Sequence, residues 1–167
     1  MGEKQAQPAV ESACRTLPAG TPQSVDKADR VVVEKARRRL SLYQGTDLLK
    51  TYPVALGQRP SGPKRCAGDM RTPEGCYVLD WRNPVSRFFR SIHISYPNAN
   101  DQRNARLRQE DPGGDIMIHG APACPGDRAR MLGGEPDWTA GCIAVSDADM
   151  LEIWETVDDG TPIEILP

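Results

Sequence analysis

Two positions in this 167-residue sequence carry side chains suited to nucleophilic chemistry. His119, followed by Gly120, ends a short apolar stretch, and Cys142 comes later in Asp137-Trp138-Thr139-Ala140-Gly141-Cys142-Ile143-Ala144-Val145. Cysteine reacts as the thiolate, and an imidazole within reach lowers the thiol pKa by favouring the ion pair. Such a pair suits acyl transfer, in which sulfur attacks a peptide carbonyl and imidazolium protonates the leaving amine. The small residues Ala140 and Gly141 leave the thiol an approach path and bring backbone N–H groups near it, where they can hold an oxyanion. From spacing alone, a buried structural thiol is the commoner explanation of such a cysteine.

The elements that would position these residues follow from hydrophobic periodicity. Residues 30–36 and 39–43 read as a strand pair about a basic turn, and 48–57 as a third strand after the turn 44–47, giving an antiparallel meander. The stretch 58–75 is dense in Pro, Gly and charge and reads as loop. Strands resume at 76–80 and 88–96. In the second, Ile92, Ile94 and Tyr96 share one face while Ser91, His93 and Ser95 share the other. A helix is predicted over 99–109, a short strand over 115–120 ending at His119 and Gly120, and a second long loop over 121–137. Ser146 to Asp149 has the form of a capping box, and Met150, Ile153, Trp154 and Val157 then recur at helical spacing. Residues 161–166 read as a closing strand. Residues 1–29, with Pro8, Pro18, Gly20 and Pro22 and no periodicity, read as a flexible leader before one folded domain over 30–167.

Composition narrows the function classes. Hydrophobic residues make up 38% and charged residues 26%, with a net charge of -2, which excludes a disordered chain and argues against a nucleic-acid partner. No run of 18 apolar residues occurs. Met1 to Gln7 is polar and lacks the apolar core of a signal peptide, so an export signal, if the protein uses one, is expected to have been trimmed away. Five cysteines, at 14, 66, 76, 124 and 142, leave one thiol over in an oxidising compartment. Cys14, Cys66, Cys76 and Cys124 form an even set with three possible connectivities, leaving Cys142 free. A Cys66–Cys76 bridge would stiffen the loop between them. No Cys-x2-4-Cys or His-x3-5-His pair occurs, so no metal site is expected.

His119-Gly120 and Thr139-Ala140-Gly141-Cys142 resemble the His-Gly and Ser/Thr-x-Gly-Cys signature of the YkuD-type L,D-transpeptidases. The resemblance extends over about residues 30–167. The segments 68–75, 93–98 and 137–139 look most similar to the murein-associated Gram-negative branch. It implies a mainly β, sandwich-like domain with a few short helices and a cysteine-bearing catalytic loop. It also implies a periplasmic, monomeric, cofactor-free cysteine enzyme acting on peptidoglycan stem peptides. Cys142 would attack a diaminopimelate carbonyl to form a thioester, and an amine of another stem peptide or of a lipoprotein lysine would accept the acyl group. Water as acceptor would make it a hydrolase of diaminopimelate-linked protein or crosslinks, and a catalytically silent peptidoglycan-binding domain is the third possibility.

By the same resemblance His119 is the general base and acid, the hydroxyl of Thr139 orders the loop, and the amides of Gly141 and Cys142 are the oxyanion donors. Many members have His in place of Ala140 and Arg or Asn in place of Ala144, so substrate contacts must come from elsewhere. Arg71 is the first choice, since a guanidinium can hold a carboxylate bidentately. His93 beside the cleft, Gly120 at the strand end and Trp138 over the cysteine loop complete the expected binding residues.

Overall fold

The computed structural model describes residues 27–167. Its first strands are the expected meander of β1 (Arg30–Glu34), β2 (Arg39–Gln44) and β3 (Asp47–Pro53). Because side chains alternate along a strand, Val31 and Val33 share a face with Leu40 and Leu42 across the ladder, and all four are fully buried. β4 (Gly75–Ser86) is twice as long as its sequence suggests. It pairs with β5 (Phe89–Ile94) through two irregularities, between Leu79 and Arg82 and between Asn83 and Ser86. These breaks scramble the alternation of residues 80–86, which hides the strand from a periodicity argument.

Two very short strands follow, β6 (Met117–His119) and β7 (Ile143–Ala144). The C-terminal strand β8 (Thr161–Leu166) is no edge. It lies parallel to β1 and antiparallel to β4, and brings Ile163 and Ile165 onto the core face. The eight strands run in the order β3-β2-β1-β8-β4-β5-β6-β7. The chain beyond β3 then crosses to the far edge, where Ala55 exchanges two backbone hydrogen bonds of 2.9 Å with Ala144 and Gly57 bridges Thr139. The two ends of the sheet are thereby joined, and the short edge of β7 is covered. The mainly β architecture is as expected, realised as one curled mixed sheet folded over a single apolar face.

Three short helices complete the domain. α1 (Ala99–Arg108) starts at an Asn98/Asp101 capping box, and α3 (Asp147–Thr156) starts at Ser146, whose Oγ accepts the Asp149 N–H. Met150, Ile153 and Val157 are fully buried, as their spacing predicts. α2 (Pro125–Leu132) lies inside the stretch expected to be loop. It buries none of its residues, so it leaves no apolar stripe in the sequence. Residues 1–26 of the expected leader lie outside the described residues. Ala28 and Asp29 are hydrogen-bonded to Thr156 and Tyr43 of the domain.

β1 ends at Glu34, earlier than its β-branched run suggests, because Lys35 is needed elsewhere. Lys35–Arg37 forms a single 3₁₀ turn. The Lys35 ammonium, 2% exposed, donates to Gly62 O (2.8 Å), Thr72 O (3.0 Å) and Glu74 Oε1 (2.8 Å). One buried cation therefore ties the middle of the loop between β3 and β4 to its C-terminal end. Burial lowers its pKa, and Glu74 opposes that shift. Replacing Lys35 by Ala would leave the Glu74 carboxylate and two carbonyls without their donor, at a cost of about 3 kcal/mol in urea unfolding.

Candidate active site

The parallel pairing of β6 with β7 sets Ile118 opposite Ile143 and His119 opposite Ala144. Ile118 and Ile143 are fully buried in the core. Alternation therefore turns Met117, His119 and Cys142 to the other face, where they line a cavity of about 810 Å³ together with Trp138, Ser91 and Lys64. The two residues first singled out in the sequence thus share one concave site.

His119 is 2% exposed, stacked on Phe88 (ring centroids 4.3 Å apart) and met edge-on by Trp138 (5.7 Å). Its Nδ1 lies 2.8 Å from Gly120 O. A carbonyl oxygen only accepts, so Nδ1 carries the proton and Nε2 keeps its lone pair. Burial lowers the imidazole pKa to about 4, outweighing the carbonyl contact that favours the cation. Cys142 Sγ accepts the Met117 N–H at 3.4 Å and donates to Asp115 O at 3.5 Å. Burial raises the thiol pKa, the Asp115 charge adds to this, and the Met117 N–H, Lys64 and Arg87 oppose it. The two shifts move apart in the sense that disfavours charge on either group. Both shifts run toward the uncharged forms, the opposite of the direction an ion pair expected from the sequence would take.

The loop before Cys142 is fixed by three devices. Arg38 forms a fork on Asp137, with Nε at 2.9 Å and Nη2 at 2.7 Å from its oxygens, while Asp137 Oδ1 accepts the Leu56 N–H. Thr139 Oγ1 donates to Cys142 O (2.7 Å) and accepts the Gly141 N–H (3.1 Å), so this hydroxyl does order the loop. Gly141 has φ +139°, and a Cβ there would stand 2.7 Å from Arg71 O, so only glycine fits. The Gly141 N–H, expected to face an oxyanion, is instead taken by Thr139. The Cys142 N–H has no partner among the described residues.

The segment 68–75 buttresses this loop. Asp69 accepts the N–H groups of Arg65, Cys66 and Arg71 and the Lys64 ammonium, and Thr72 Oγ1 accepts the Gly57 N–H. Arg71 presents its carbonyl to Gly141, while its guanidinium lies toward Gly62 and Lys35 and does not line the cavity. His93 also stands outside the lining, with its Nδ1 2.6 Å from Asp80 Oδ1 and its ring stacked on Trp81. Gly120 lies behind His119 rather than in the cavity: a Cβ there would stand 2.5 Å from Asp147 Oδ1. Trp138 lines the cavity and meets the His119 ring edge-on.

The cations that do line the cavity are Lys64, Arg87 and Arg130. Lys64 is ion-paired with Asp69 at 2.9 Å, whereas Arg87 and Arg130 are exposed and have no ion-pair partner among the described residues. Arg87 sits in the tight turn between β4 and β5, and Arg130 on α2, two elements the sequence pattern leaves undefined. Cys66, Cys124 and Cys142 are free thiols, while Cys76 is disulfide-bonded. The expected Cys66–Cys76 bridge is therefore absent, and Cys142 is free as expected.

Fold and site together define a cysteine–histidine acyl-transfer centre on a curled mixed sheet. The chain belongs to the YkuD family of L,D-transpeptidase catalytic domains, whose profile matches residues 28–165. YafK of Escherichia coli (strain K12), named a putative L,D-transpeptidase, is 34% identical over 97 residues, which are 54% of this chain and 37% of YafK. The helical cell shape determining protein Pgp2 of Campylobacter jejuni superposes with a TM-score of 0.62 at 24% identity, covering 84% of this chain and 48% of Pgp2. Bd1075 of Bdellovibrio bacteriovorus superposes with a TM-score of 0.58 at 22% identity, covering 87% and 50%. The chain spans half the length of these relatives or less.

Two outcomes are expected. Between pH 6.5 and about 4 the unfolded chain binds a proton at residue 119 that the folded chain does not. Stability therefore falls as pH drops through that window, by about 3 kcal/mol in all, and His119→Gln should remove this part of the slope in urea titrations. Alkylation in denaturant without reductant, followed by peptide mapping, should label Cys66, Cys124 and Cys142, with Cys76 labelled only after reduction.

Proposed function

We propose that this domain is a cysteine L,D-transpeptidase acting on peptidoglycan stem peptides. The observation that carries the reading is a free thiol in a cavity it shares with an imidazole whose Nδ1–H is held by Gly120 O, leaving Nε2 as the base. As sulfur attacks the diaminopimelate carbonyl, Nε2 takes the thiol proton and the oxyanion forms at the Cys142 N–H. Nε2–H then protonates the departing amine, and the carbonyl remains on sulfur as a thioester. An acceptor amine attacks that thioester, Nε2 takes its proton, and the thiol is restored when the proton returns to sulfur. Arg87 and Arg130 hold carboxylates of the anionic stem peptide at the cavity rim, the task the sequence assigned to Arg71.

The reading places the protein outside the cytoplasm and, more finely, in the periplasm. The disulfide at Cys76 supports an oxidising compartment. Incubation with tetrapeptide muropeptides and mass analysis should give joined dimers. Hydrolysed monomers, or protein released from lipoprotein-linked muropeptides, would instead mark water as the acceptor. Cys142→Ala should abolish turnover and the covalent adduct with a carbapenem. Absence of turnover and of adduct in the unaltered protein would favour a silent binding domain. Arg87→Ala and Arg130→Ala should each raise KM about tenfold with kcat nearly unchanged, as expected when binding that is equal in ground and transition states is removed.

A further inference from the structure

β4 and β5 carry a second aromatic feature next to the cavity. The irregularity between Leu79 and Arg82 places two residues, Asp80 and Trp81, where a regular ladder would hold one, opposite His93. The result is a built stack. The Trp81 and His93 rings lie 4.9 Å apart at 15°, and Asp80 Oδ1 locks the imidazole from the side at 2.6 Å. The His93 side chain is 15% exposed beneath the indole, whereas Trp81 is 44% exposed, and no other ring or cation covers it among the described residues. The structure therefore commits a largely buried imidazole and a carboxylate to orienting an indole toward solvent.

This feature borders the catalytic cavity. His93 pairs with Met117, which lines the cavity and whose N–H holds Cys142 Sγ. Ser91, two positions from His93 on the same face, lines it as well. Trp81 to His93, His93 to Met117 and Met117 to Cys142 are three neighbouring steps of about 5 Å across the sheet, so the indole lies roughly 15 Å from the thiol. An extended peptide covers that distance in about four or five residues at 3.3–3.6 Å each.

We propose that Trp81, set by His93 and Asp80, is a stacking platform for a pyranose ring of the glycan strand that carries the stem peptide, and this rests on the peptidoglycan reading above. A pyranose has an apolar C–H face and a rim of hydroxyl groups. A flat indole with a carboxylate at its edge matches both, and the ring's amphipathic partners suit a ligand that is half wet. A protein partner would call for a wider apolar surface than one ring with a polar border.

The test separates binding from turnover. Glycan oligosaccharides stripped of their stem peptides are titrated calorimetrically into the intact protein, Cys142→Ala, Trp81→Ala and Asp80→Asn. The intact protein and Cys142→Ala should bind alike, Trp81→Ala at least tenfold more weakly, and Asp80→Asn in between. In turnover, the intact protein should favour a tetrapeptide attached to its disaccharide over the free tetrapeptide by at least tenfold in kcat/KM. Trp81→Ala should abolish that preference while keeping the rate on free tetrapeptide. Equal binding by Trp81→Ala, no binding by the intact protein, or an equal loss on both substrates overturns the platform. Sugar binding that depends on Trp81 with no turnover of any muropeptide overturns the enzymatic reading and leaves the platform standing.

Discussion

Two parallel backbone pairs, Ile118 with Ile143 and His119 with Ala144, hold the thiol and the imidazole on one face of the sheet. A ladder this short supplies only a few hydrogen bonds, each contributing about 1 kcal/mol net, and would not by itself fix a loop. The two isoleucines anchor it, since full burial of each contributes roughly 2–3 kcal/mol. They also set the register. A slip of one residue would turn Cys142 into the core and Ile143 into the cavity, so the apolar pattern that stabilises the sheet also presents the nucleophile. The Ala55 bridge, the Arg38–Asp137 fork and the close approach at Gly141 then hold the two-residue strand from its other sides.

Burial pushes both members of this pair toward their uncharged forms. Desolvation disfavours charge on either partner, and the single N–H from Met117, with Lys64 and Arg87 in the surroundings, does not reverse it for the thiol. A neutral thiol is a poor nucleophile toward stray electrophiles, and the imidazole, with its proton fixed on Nδ1, presents the Nε2 lone pair. Charge is then generated only when a carbonyl is in place to receive the sulfur electrons, and the proton stays within the site. A preformed ion pair in the same low-dielectric position would need additional hydrogen bonds to each partner. The aromatic rings that enclose His119, Phe88 on its face and Trp138 at its edge, offer none.

Alternation made the core strands legible in the sequence: Val31 and Val33, Leu40 and Leu42, and Ile92 and Ile94 all point inward as their spacing requires. His119 and Cys142 came forward for chemical reasons and Thr139 through the family resemblance; all three line one cavity. What stayed hidden has physical causes. The pattern of Ile163 and Ile165 is the same for a central strand as for an edge, so it could not reveal the insertion of β8 between β1 and β4. α2 buries nothing and so writes no stripe. Residue type also leaves direction open: Arg71 is a good carboxylate ligand by chemistry, yet its backbone is committed to Gly141 and its side chain is carried away from the cavity. Cysteine connectivity is undetermined for the same reason, because spacing gives no geometry.

The alanines at 140 and 144 connect these points. Ala144 sits between Ala55 on one side and His119 on the other and is almost fully buried, so a long polar side chain there would have to displace one of its neighbours. Closing the curled sheet through Ala55 thus favours a small residue where a substrate-binding cation could otherwise stand. The free cations appear at the rim instead. Arg87 occupies a tight turn whose carbonyls are taken by Gly120 and Ala123, and Arg130 sits on a helix that buries no residue. The floor that holds sulfur and imidazole is tied into the core, whereas the charges at its mouth are carried by elements with little stake in it. Changes at the rim can therefore alter which anionic peptide is held without disturbing the register on which the nucleophile depends.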